Sequence, residues 1–224
     1  MVNKEFKLSE IAKLLDLSLE GDQDYKVCSI NNLKQADKSD ISFYYSKKFK
    51  KDLENTNAGA VILSKSDDLN TIKNKLFTDQ VHLAYAKCSQ LFTPKSVGFS
   101  RKDNVPVIHE GAIISPNSNI ETNVKIEDGV VIKSGVFIGS GSIIKKNTLI
   151  HSNVSIYSNS VIGRDCILHS GAVIGSDGLG FAKNGKKWEK IIHHGNVEIG
   201  NSVEIGAGCT IDKASSGKTI INDG

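Results

Sequence analysis

Every sixth residue between positions 108 and 174 is aliphatic: Ile108, Ile114, Ile120, Ile126, Ile132, Ile138, Ile144, Ile150, Ile156, Ile162, Leu168 and Ile174, twelve in succession. Four residues after each of the first eleven stands a small or β-branched residue, from Ala112, Ser118 and Val124 through to Cys166 and Ala172. Three residues after each comes Gly, Asn or Asp: Gly111, Asn117, Asn123, Gly129, Gly135, Gly141, Asn147, Asn153, Asn159, Asp165 and Gly171. Residues an even number apart in extended chain face the same side, so the aliphatic and the small residue share one interior. The Gly, Asn or Asp tolerates the left-handed backbone conformation that a sharp corner needs. A helix of about 3.6 residues per turn cannot set side chains six apart on one stripe. What remains is a parallel β-solenoid in which each hexad is one side of a prism. Three hexads per coil would give four coils of 18 residues, stacked at the strand spacing to about 19 Å.

The pattern breaks after Ile174. Residues 175–196 carry Gly175, Gly178, Gly180, Gly185 and Gly195 with Lys183, Lys186, Lys187 and Lys190, but no hexad. They read as a loop thrown out from the solenoid, with Trp188 capping it against a helix; loops of that length are usually functional. The repeat resumes at Ile199, Ile205 and Ile211, then slips by four residues to Ile221 across a smaller loop at Lys213–Lys218. Gly224 falls at a corner of an unfinished coil, so the sequence reads as incomplete at its C-terminal end, since solenoids need caps.

Before Pro106 the hexad is absent, and we expect two domains: an α/β domain at 1–100 and the partial solenoid at 101–224. Leu8, Ile11, Leu14 and Leu15 suit a helical stripe with Ser9 as its cap. Residues 58–63 (Ala-Gly-Ala-Val-Ile-Leu) suit a buried strand, and Val81 to Phe92 an amphipathic helix stopped by Pro94. From Ser42 to Lys51 the chain packs four aromatics and four lysines into ten positions, although aromatics make up only 6% of it. A flat ring such as a nucleobase could stack there while lysines meet a diphosphate; the alternative is core aromatics beside a solvated lysine run.

A formal charge of +3 is too small for a nucleic-acid footprint. No apolar stretch approaches the roughly 20 residues of a membrane span. Glu10 and Asp16 interrupt any signal-peptide core, so the expected location is cytoplasmic. Cys28, Cys88, Cys166 and Cys209 form no C-x-x-C pair and read as buried thiols, with neither zinc nor a disulfide framework indicated.

Taken in order, the α/β region containing Ile41-Ser42-Phe43, the twelve hexads, the stretch from Val173 to Ala182 (Val-Ile-Gly-Ser-Asp-Gly-Leu-Gly-Phe-Ala) and the stretch from Val203 to Asp212 (Val-Glu-Ile-Gly-Ala-Gly-Cys-Thr-Ile-Asp) resemble the UDP-(3-O-acyl)glucosamine N-acyltransferases of lipid A biosynthesis in Gram-negative bacteria. The resemblance covers essentially the whole chain. It implies a left-handed parallel β-helix, against the usual right-handed crossover, behind a uridine-binding α/β domain. It also implies a homotrimer, transfer of a 3-hydroxyacyl chain from acyl carrier protein to the 2-amino group of the UDP-sugar, a histidine general base, backbone oxyanion donors and no cofactor or metal.

Carried over residue by residue, Phe43 matches the first of two uracil-stacking aromatics. Phe49 stands where a tyrosine is more usual, and Ser46 where an asparagine is common. The catalytic histidine belongs to an Ile-Ala-His stretch expected beyond Gly224. Asp177, Phe181, His193 and His194 are candidate active-site loop residues. His151 and His169, 18 apart, should stack one coil above the other and point outward with His109, without a carboxylate partner. Competing readings are a non-catalytic UDP-sugar-binding remnant, an acyl-CoA-dependent hexapeptide acyltransferase, and a γ-type carbonic anhydrase, whose three converging histidines the repeat arithmetic does not supply.

Overall fold

The computed structural model describes residues 4–93 and 105–224. The expected boundary at 100–101 and the helix stop at Pro94 lie outside the described residues. The chain divides into two compact units: one holds the described residues up to 93 with Leu179–His194 and Ser215–Gly217, the other those from 105 to Gly178 with Gly195–Ala214 and Lys218–Gly224.

The second unit is the solenoid. Each hexad contributes a strand such as Val131–Ile132 or Leu149–Ile150, and each strand pairs in parallel with the one three hexads on. Ile126 thus lies against Ile144 and Ile132 against Ile150. Three parallel sheets of five, six and five strands result, the three faces of a left-handed parallel β-helix. The 18-residue offset gives way to Ile162 against Ile199, Leu168 against Ile205 and Ile174 against Ile211, so the coil continues in register across the insertion. The four-residue slip appears as Ile199 against Ile221.

Side chains explain why the coil closes. Val124, Val130, Val154, Ala172 and the polar Ser142, Thr148 and Ser160 are all completely buried beside the aliphatic column. The three hydroxyls satisfy themselves on backbone: Thr148 Oγ1 donates to the Gly163 carbonyl at 2.8 Å, and Ser160 and Ser142 donate to Tyr157 O at 2.8 and 3.1 Å. Nine of the expected corners have positive φ, from Asn123 at 60° to Gly171 at 75°, whereas Gly111 and Asn117 do not. The asparagine at one corner stacks on the next, Asn147 Nδ2 donating to Asp165 Oδ1 at 3.0 Å. Ser202, φ 57°, takes the left-handed corner of a later coil.

The first unit is an α/β layer. Its five-stranded sheet runs Ser18–Glu20, Lys75–Phe77, Ala60–Leu63, Asp40–Tyr44, Ser29–Ile30. The last four are mutually parallel and the first is antiparallel. Ala60–Leu63 is buried along its whole length, as apolar runs in parallel sheets are. Helices Leu8–Leu15 and Val81–Leu91 share one core with Ile41, Ile62 and Leu76, while Tyr44, Val61, Leu63 and Phe77 form another with Leu53.

Two local expectations change. Ser9 is not the cap: Lys7 is, its N–H donating at 2.8 Å to Glu10 three residues on. Leu14 is exposed, because the buried stripe runs through Leu8, Ile11 and Ala12. Not all the cysteines are buried either; Cys209 occupies an inward small-residue position but is exposed, and Cys28 is half-buried.

Candidate functional site

The insertion at 175–196 is not an irregular loop. Its centre is an antiparallel hairpin, Phe181–Asn184 with Lys187–Lys190, turning at Gly185, whose φ is 59°. Pairing sets Phe181 opposite Lys190, Ala182 opposite Glu189 and Lys183 opposite Trp188. Directly opposed residues share a face, so Ala182 enters the helix-side core with Ile191 while Trp188 is turned away and 68% exposed. Trp188 therefore does not cap the hairpin against the helix. Polar stitching does: Gln90 Nε2 donates to Glu189 Oε1 and to Lys190 O, both at 2.8 Å, and Ile192 N donates to Ser89 Oγ at 3.0 Å.

This anchoring decides the histidine pair. His193 is buried, with Nδ1 3.2 Å from the Ile191 carbonyl and Gly180 packed on its ring. His194 Nε2 meets the Ser89 carbonyl at 2.7 Å. Both act as fasteners. Leu179, Phe181 and Trp188 line an open apolar depression of about 390 Å³, with Lys190 Nζ 5.1 Å from the Phe181 ring. Asp177 belongs to the solenoid, pairing with Lys213 at 3.0 Å.

The aromatic-lysine segment divides between strand, turn and helix. Asp40–Tyr44 is the strand, and Lys47, Lys48, Lys50 and Lys51 face solvent. Strand parity sends Tyr44 into one core and Phe43 to the opposite face. Phe43 stacks on Tyr85 at 3.7 Å between centroids and lies nearly parallel to Tyr45 at 5.9 Å. Phe49 packs against the other core, beside Tyr44, and reaches the cluster only through Tyr45, at 6.2 Å. Phe43 and Phe49 thus belong to different clusters, with Tyr45 linking them, and Ser46 is the residue before the turn. Tyr45 was legible from its spacing two residues after Phe43. His82, 5.4 Å from Tyr45, and Tyr85 were not, since they come from the helix beginning at Val81.

A cleft of about 540 Å³ opens beside this cluster, lined among others by Tyr45, Asp67, Asp79, Gln80, His82 and Lys183. Burial pushes the phenols of Tyr85 and Tyr44 above their ordinary values, so both remain protonated. On the solenoid, His151 and His169 stack at 5.1 Å with an interplanar angle of 6°. They are not without a carboxylate: His169 Nε2 meets Glu204 at 2.7 Å, and His109 Nδ1 lies 3.3 Å from Asp128. Among the described residues no group of three or more His, Cys, Asp or Glu is placed to hold a metal ion, and no helix is long and apolar enough to cross a membrane.

Fold and residues define a hexapeptide-repeat transferase: the model of bacterial transferase hexapeptides matches residues 106–140 and 141–176. The model described as UDP-3-O-(3-hydroxymyristoyl) glucosamine N-acyltransferase, LpxD, matches residues 24–91, the region of the aromatic cluster. UDP-3-O-acylglucosamine N-acyltransferase of Saccharophagus degradans is 46% identical over 100% of this chain and 67% of its own length. That of Marinomonas sp. is 44% identical over 98% and 66%. The chain belongs to this N-acyltransferase family and spans about two thirds of the length of these relatives. Among solved structures, the acetyltransferase domain of PglB from Neisseria gonorrhoeae in complex with acetyl coenzyme A matches at 16% identity, covering 81% of this chain and 94% of that one, with a TM-score of 0.35.

Proposed function

We propose that this chain carries the uridine-nucleotide seat and the first solenoid coils of an enzyme that moves a 3-hydroxyacyl group from acyl carrier protein to the 2-amino group of UDP-3-O-acylglucosamine. The observation that carries the reading is the aromatic cluster around Phe43, standing open beside a cleft within the stretch that the LpxD model matches. The enzyme works in the cytoplasm as a homotrimer, without metal or redox cofactor.

The chemistry is attack of a neutral amine on a thioester: the C–N bond forms, the amine proton passes to a base, and the carrier thiol leaves. The family resemblance puts the base in an Ile-Ala-His stretch, which the 224 residues do not contain. The chain alone then binds the nucleotide sugar without acylating it.

Calorimetric titration of UDP-3-O-acylglucosamine, with the GDP and CDP congeners as controls, tests the seat. Saturable binding that prefers the uridine compound is expected. Absence of binding, or equal affinity for all three, would remove the reading.

A further inference from the structure

We infer that the outer face of the hairpin at 181–190 is a docking surface for an anionic lipid bilayer. Strand parity sorts its side chains: Ala182 turns into the helix-side core, while Phe181, Lys183, Trp188 and Lys190 stand on the opposite face. Phe181 opposes Lys190 and Trp188 opposes Lys183, so each ring on this face has an ammonium across from it. Leu179, just before the hairpin, is 97% exposed, and Trp188 and Phe181 are exposed beside it. These three side chains line the open depression of about 390 Å³, an apolar patch of the kind that marks an interaction surface. The hairpin cannot roll over to hide it, because Ala182 is buried and Gln90 holds Glu189 and the Lys190 carbonyl from behind.

Charge names the occupant. Residues 179–190 hold four lysines, Lys183, Lys186, Lys187 and Lys190, and one acid, Glu189. The formal +3 of all 224 residues therefore equals the excess carried by this stretch, and the rest of the chain balances. Glu189 lies on the core side, where it accepts from Gln90, whereas Lys183, Lys186 and Lys187 face solvent. A second copy seated face to face would set these lysines against their own kind. A nucleic acid would engage the ammoniums and leave Leu179 in water. A bilayer with anionic headgroups offers phosphates to the lysines and hydrocarbon to Leu179 and Trp188 at the same boundary. Tryptophan settles there through its amphipathic ring, and lysine through an apolar stem that lets its ammonium reach the headgroups.

Trp188 is the sole tryptophan of the sequence, so its emission reports this face directly. The test titrates the 224-residue chain, without nucleotide, with vesicles of phosphatidylcholine alone and of phosphatidylcholine mixed with phosphatidylglycerol. A blue shift of the emission and co-sedimentation with the mixed vesicles, both diminished by salt, are expected. Lys186→Gln combined with Lys187→Gln should weaken partitioning about 30-fold, at about 5-fold per lysine near an anionic surface. Leu179→Ser should weaken it about 10-fold, each variant keeping the melting temperature of the unsubstituted chain. Absence of co-sedimentation, equal affinity for both kinds of vesicle, or a folded double variant that binds as well as the unsubstituted chain would overturn the inference. A blue shift that appears on raising the protein concentration without lipid would give the face to a second copy, and would overturn it as well. With no nucleotide in the sample, each of these outcomes leaves the uridine reading where it stands.

Discussion

Gly163 is where the solenoid has least room. A Cβ there would lie inside contact distance of the Gly200 carbonyl and 2.8 Å from Asn201 N, main-chain atoms of the next coil that no rotamer change can move aside. Gly163 is not among the residues with positive φ, so Gly163→Ala isolates the steric effect from backbone strain. To admit the methyl, the two coils must part, stretching the Gly163 N–H bond to Ile199 O, now 2.8 Å. Overpacking of a close-packed interior costs about 1–3 kcal/mol, and a weakened buried hydrogen bond about 1 kcal/mol more. The sum is about 2–4 kcal/mol. Native-state hydrogen exchange reads this step locally, at the amides of Gly163, Ile167 and Ser202, which bond across it. These amides should exchange about 30- to 700-fold faster in the variant. Gly206→Ala is the control: its Cβ meets only Cys209 Sγ, at 3.5 Å, and should change stability by less than about 0.5 kcal/mol. Equal protection in Gly163→Ala and the unsubstituted chain would refute the coil spacing.

Alkylation of the native protein should modify Cys209, which is exposed, and spare Cys88, which burial pushes up to about 12; peptide mapping that finds Cys88 modified as fast as Cys209 would contradict its placement. Lys75 is buried, with its ammonium 2.7 Å from Asp68 and 2.9 Å from Glu20. Its pKa is raised above 10.5, first by the hydrogen bonds to Asp68 and Glu20. A raised amine stabilises fully below its ordinary value and loses that contribution as pH climbs through the raised one. The urea midpoint should therefore fall above about pH 10.4 in the unsubstituted protein and fall less in Lys75→Met; parallel pH profiles would show that Lys75 is not paired in solution.

The solenoid was legible because its constraint is local and periodic: an aliphatic residue, a left-handed corner and a small residue every six positions admit one kind of closure. Even the His151–His169 stack follows from an 18-residue coil. The insertion was not legible, because its order comes from docking. Ala182 and Ile191 look like loop residues until the helix Val81–Leu91 supplies a core for them, and the contacts of His193 and His194, one ring nitrogen of each on the Ile191 and Ser89 carbonyls, come from that docking. The aromatic cluster was half legible. Phe43 could be singled out, but which rings remain open depends on strand parity and on Tyr85 and His82 arriving from a helix far along the sequence.

The most direct test offers one sample of the 224-residue chain both UDP-3-O-acylglucosamine and 3-hydroxyacyl-acyl carrier protein, following ligand binding by calorimetry and N-acylated product by mass spectrometry. Saturable binding of the nucleotide sugar and no product are expected. N-acylated product would contradict it, because one of the histidines assigned here to packing, stacking or ion pairing would have to be the base.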